Sequence, residues 1–137
     1  MKSRETLLRL KRFQVDEKRR RVTQIEMMIN EFHRMAGDLD REIKAEEARA
    51  NMTDPTHFAY PTYAKAAMGR RDNLVQSADN LKTQLEEAKS ALQEAFDDMK
   101  KVEILEDREK ASERAAEAAR EQSMMDSIGL RSMRANA

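Results

Sequence analysis

The chain has 137 residues, of which 38% are charged and 4% aromatic, with no Trp, no Cys and three Gly. That length bounds it to one structural unit at most, and so few large apolar side chains exclude a thick globular core, while the missing Cys excludes disulfides, a thiolate zinc site and a cysteine nucleophile. The formal charge is zero, from 26 basic and 26 acidic residues, but "MKSRETLLRLKRFQVDEKRRR" is strongly basic and "EEAKSALQEAFDDMKKVEILEDREKASE" acidic on balance.

The first element is a helix over about 3–50. Leu8, Val15, Val22, Ile25, Ile29, Phe32, Ala36, Leu39 and Ile43 fall on steps of three and four, an a/d heptad seam interrupted at Lys11 and Lys18 and unbroken from Val22 to Ile43. Gly37 lies off the seam and costs about 1 kcal/mol relative to Ala, which a long helix tolerates. The seam argues against disorder, the rival reading for so polar a chain. The basic start lacks the apolar block of a signal peptide. No apolar run approaches the ~20 residues of a membrane span, so a cytoplasmic chain without a transmembrane segment is expected.

A turn follows over about 51–61. "DPTHFAYPTYAK" holds both prolines of the chain, Pro55 and Pro61, and three of its six aromatic residues. A residue before proline is pushed out of the helical region, so Asp54 and Tyr60 are expected to be non-helical. Asp54 then reads as an N-cap with Pro55 at the first helical position.

The second helix is expected over about 62–127. Ala67, Leu74, Ala78, Leu81, Leu85, Ala88, Leu92, Ala95, Met99 and Val102 repeat the seam, with Arg71 as its exception. The seam fades beyond Leu105, although Ala, Glu and Arg keep helix propensity high. Gly129 reads as a helix stop and 128–137 as a frayed tail.

A short connection makes the two helices antiparallel neighbours. The chain is therefore expected to be all-α: a single coiled-coil hairpin, 1–137, with a C-terminal helical overhang. In this register Ile43 faces Ala67 and Arg71, Leu39 faces Leu74, Phe32 faces Leu81, Ile25 faces Ala88, and Val15 faces Met99. The core is then Leu8, Val15, Val22, Ile25, Ile29, Phe32, Leu39, Ile43, Leu74, Leu81, Leu85, Leu92, Met99 and Val102. The basic turns meet the acidic stretch from Glu94 to Glu109, which selects the antiparallel register without supplying much stability. The first helix uses up its partner near residue 106, leaving about thirty residues, or ~40 Å, of unpaired helix, marginal without a partner.

Chemistry is sparse. Gly37, Gly69 and Gly129 are isolated and make no phosphate loop. His33 and His57 lack carboxylate or thiol neighbours at ligand spacing, and Asp38, Asp40 and Glu42 of "DLDRE" point in different directions on a helix. No catalytic residue, metal site or cofactor is expected, and a two-helix hairpin offers no dry concave site. The basic cluster has no interleaved aromatic platform for nucleic acid, and the acidic helix is expected to neutralise much of it. Two groups remain unplaced. Phe58, Tyr60, Tyr63 and Met68 at the turn either pack on one another or form an exposed anchor patch. Met124, Met125, Ile128 and Leu130 have no partner in the hairpin and are either frayed or docked on another protein.

The charged heptad helix, the central turn and a helix running into "LEDREKASERAAEAAREQSMMDSIGLRS" resemble the flagellar export protein FliJ family, from Leu7 to about Arg134. The ending "MDSIGLRS" is its most telling part, and "FAYPTYAKAAMGRRDNL" resembles an alphaproteobacterial type. The resemblance implies a non-enzymatic cytoplasmic component of the flagellar type III export apparatus, peripheral at the inner-membrane base of the flagellum. It implies an antiparallel coiled coil like a rotary-ATPase central stalk, associated with the hexameric export ATPase, the cytoplasmic domain of the export gate and export chaperones. By position, it assigns Met124, Met125, Ile128 and Leu130 to the end entering the ATPase ring, and Phe58, Tyr60, Tyr63 and Met68 to the end facing the gate. The competing expectation is a generic cytoplasmic coiled-coil scaffold or chaperone of another secretion system.

Overall fold

A computed structural model describes residues 2–53 and 59–136. It contains two long helices, α1 (Lys2–Thr53) and α2 (Ala59–Ala135), which pack against each other. The protein is all-α, with no strand among the described residues. Packing divides it into two units: unit 1 comprises Met1–Phe13 with Phe96–Ala137, and unit 2 comprises Gln14–Ala95.

Both helices are longer than the sequence predicts. Tyr60, expected to be non-helical, lies in the first turn of α2, with Pro61 immediately after it. The first turn has no intrahelical acceptors for its N–H groups, so Pro61 forfeits no bond there, and the fixed φ of proline suits a helix. At the other end Gly129 does not stop the helix, which runs on to Ala135. No glycine has a positive φ, so Gly129 is not a left-handed cap. Its cost is the ordinary ~1 kcal/mol of a helical glycine. The predicted cap Asp54, Pro55 and the tip residue Phe58 lie outside the described residues.

Unit 2 holds a buried layer between the two helices. Ile25, Ile29 and Ala78 are buried together, and Phe32, Leu81, Leu85 and Ala88 pack on them half-buried. Val15, Val22, Ala36, Ile43, Ala64 and Ala67 are also buried. Leu39, Leu74 and Leu92 are half-buried, because a two-helix layer covers each side chain from one direction only. Small residues on α2 opposite large ones on α1 let the helices approach closely.

Polar contacts tie the same unit together. Arg71, the exception in the α2 seam, donates from Nη1 to Asp40 of α1 at 2.9 Å. Asp40 also pairs with Lys44 at 3.1 Å, and Arg71 with Asp72 at 3.3 Å. Arg34 is held by Glu31 at 2.5 Å and Asp38 at 3.1 Å along α1. Such exposed helix pairs give modest, salt-sensitive support.

In unit 1 Leu8 and Val102 are buried, and Met99 is half-buried. Arg4 Nη1 donates to Glu109 Oε2 at 2.5 Å. The basic turns are less neutralised than the sequence suggests. Arg19 pairs with Asp16 of its own helix at 3.6 Å. Lys18, Arg20 and Arg21 are exposed and form no ion pair among the described residues. The physical reason is geometric: four consecutive residues point around the whole circumference of a helix, so a single neighbouring helix cannot face them all.

Candidate partner-binding surfaces

The surfaces are built from what each helix leaves uncovered. In unit 1, α2 continues far beyond the residues that α1 covers. Glu109, paired with Arg4, is half-buried. From Ala111 to Asn136 every residue is exposed. The helix persists there on local terms, through high-propensity residues and bonds such as Gln122 Nε2 to Asp126 Oδ1 at 3.0 Å.

Met124, Met125, Ile128 and Leu130 all lie in this helix, each at least 58% exposed, as does Met133. At about 100° per residue they do not share one face. Met124 and Ile128 lie on the side of Glu113, Glu117 and Arg120. Met125 lies towards Ala111, Ala115 and Ala118, and Leu130 on a third side. A flat partner can touch some of them but not all.

The start of this exposed region is marked by a residue that the seam pattern missed. Glu106 is 2% exposed, and neither of its carboxylate oxygens makes a hydrogen bond. Lys110 Nζ lies 3.7 Å from Oε1, within ion-pair range but beyond hydrogen-bond length. Glu106 stands four residues after Val102 and three before Glu109, so it continues the seam spacing. That spacing was the available signal, hidden because glutamate at a seam position reads as the end of the seam. Leu7, Leu10 and Phe13 of α1 in unit 1 are also exposed.

In unit 2, Tyr63 and Met68 near the start of α2 are each 39% exposed. Burial raises the Tyr63 hydroxyl above its ordinary range, and the carboxylates of Glu42 and Glu46 and a hydrogen bond with Glu42 add to this. Tyr63 is thus influenced by the carboxylates of α1 while much of its side chain stays accessible. Phe58 and the side chain of Tyr60 lie outside the described residues, so their grouping with Tyr63 and Met68 is not described. Met27, Met28 and Met35 of α1 are further exposed apolar residues that the sequence reading did not single out.

Among the described residues no cluster of three or more His, Cys, Asp or Glu side chains is placed to hold a metal ion. No described helix is long and apolar enough to cross a membrane. The hollows on the surface are open and lie along the helix pair or on one helix.

The family described as "Flagellar FliJ protein" matches residues 1–137. No curated protein and no solved structure matches the chain.

Proposed function

Since the chain belongs to the FliJ family, a non-catalytic component of the flagellar export apparatus, we propose that it acts there as a stalk-like coiled coil. In this reading it links the hexameric export ATPase to the cytoplasmic domain of the export gate and assists the handling of substrates and their chaperones. It works from the cytoplasmic side, peripheral to the inner membrane at the base of the flagellum.

The observation that carries this reading is the exposed helix after Glu109. Its apolar side chains, Met124, Met125, Ile128 and Leu130, point in several directions around one helix. A partner that buries all of them has to surround the helix, as the cavity of a ring does. Flexible methionines suit such a site, because they fill irregular gaps against several subunits. Tyr60, Tyr63 and Met68, with Phe58, are assigned to the gate. An accessible tyrosine is a good interface anchor, since it carries much apolar area on few rotatable bonds.

The test is a pull-down of both partners with one set of variants. The intact chain is expected to retain the export ATPase and the gate domain. Replacing Tyr60 and Tyr63 by Ser is expected to weaken retention of the gate domain and leave the ATPase bound. Equal retention of the gate domain by this variant overturns the assignment of that end.

A further inference from the structure

The proposed ring and gate contacts leave the basic turn Lys18–Arg21 in unit 2 without a role. Three of its four cations have no ion-pair partner among the described residues. Lys18 occupies a seam position yet is exposed. Beside it, between α1 and α2, lies an open hollow of about 340 Å³. Ile25, Ala88 and Ala91 supply its apolar lining, Lys18 and Arg21 its cations on α1, and Glu87 a carboxylate on α2.

We propose that Lys18, Arg21 and this hollow form a docking site for an acidic helical segment of another protein. One aliphatic side chain of that segment sits against Ala88 and Ala91, where small residues leave room. Carboxylates one turn to either side of it meet Lys18 and Arg21, since residues three and four apart share a helix face. Arg20 adds to the long-range attraction that steers an acidic partner in.

The chemistry favours this occupant over other anions. A nucleic acid would find in the hollow no aromatic ring on which a base could stack. A membrane surface requires the cations to lie on one polar face opposite an apolar one. Here the four basic residues circle the helix, with Glu17 and Asp16 immediately before them. An acidic helix with a single aliphatic anchor uses both the charge and the hollow.

The experiment uses the full chain and a fluorescein-labelled synthetic helix of about three heptads, with one Leu per heptad, Glu one turn to either side of it and Ala elsewhere. Anisotropy is followed across a salt series. Lys18→Ser with Arg21→Ser is expected to weaken binding about tenfold or more and to flatten its salt dependence. Ala91→Phe, which fills the hollow and leaves every charge in place, is also expected to weaken it. Arg9→Ser with Arg12→Ser removes the same charge elsewhere on α1 and is expected to change binding less than about twofold. Circular dichroism confirms that each variant stays helical. The proposal is overturned if the peptide does not bind, if the control pair weakens it equally, or if Ala91→Phe has no effect. It is also overturned if a single-stranded oligonucleotide or phosphatidylserine vesicles of equal charge displace the peptide at lower concentration than unlabelled peptide does.

Discussion

Arg71 of α2 donates to Asp40 of α1 at 2.9 Å, joining the two helices of unit 2 across 31 positions of sequence. The contact fills the place where Arg71 interrupts the apolar spacing of the α2 seam. Asp40 is shared, since Lys44 approaches it at 3.1 Å. The Lys44 hydrogen bond first, and the Arg71 hydrogen bond next, hold the Asp40 carboxyl below its usual range. A carboxyl depressed in the folded state contributes stability that is fully present above its unfolded value, about pH 4. That contribution disappears as pH falls through the lower folded value. Thermal melts followed by circular dichroism are therefore expected to shift downward on acidification below about pH 4. The part due to Asp40 is expected to vanish in Asp40→Asn. Because the pair is exposed, the shift is also expected to shrink in high salt.

Ile25 and Phe32 belong to the same cluster but differ in burial. Ile25 is 1% exposed, whereas Phe32 is half-buried against it. Ile25→Ala is expected to cost about 3–4 kcal/mol, within the range for buried aliphatic truncation. Phe32→Ala loses a larger side chain from a half-covered site, and about 2 kcal/mol is expected. Chemical denaturation of the two variants measures the order. A larger loss for Phe32 would place the ring in the centre of the layer.

Glu106 gives the opposite sign. A buried carboxylate without hydrogen bonds carries its desolvation cost with little compensation, and Lys110 at 3.7 Å offsets only part of it. Glu106→Leu is expected to stabilise the protein by about 1–3 kcal/mol. Glu106→Gln, which leaves polar atoms buried, is expected to gain less. Equilibrium unfolding in urea checks both. A loss of stability in Glu106→Leu would mean that the carboxylate is satisfied.

Much of the architecture was legible because a two-helix layer has a simple code. Steps of three and four from Val22 to Ile43, and from Ala67 to Val102, named the faces that meet. What escaped was decided by context. Tyr60 is helical because the restriction imposed by Pro61 is a local preference that the first turn of α2 overrides. Gly129 stays helical because a glycine stops a helix only where a left-handed cap forms, and none does. Glu106 was missed because residue type argued against burial while spacing argued for it. The basic turn was expected to be neutralised by the acidic helix, but charge totals do not state which side of a helix each charge occupies. The side chains of the helix after Glu109 are exposed, and the identity of a partner is not written in their spacing.

If the helix after Glu109 enters the export ATPase, as proposed above, truncation before it removes the contact. A chain ending at Lys110 retains Arg4, Leu8, Val102, Glu106 and Glu109, so the paired part of unit 1 loses none of these contacts. It is expected to melt like the parent hairpin in circular dichroism. Titration calorimetry against the hexameric export ATPase is expected to show affinity reduced about a hundredfold or more. Binding at full strength by the truncated chain would exclude ring entry by this helix and place the ATPase contact on the paired helices.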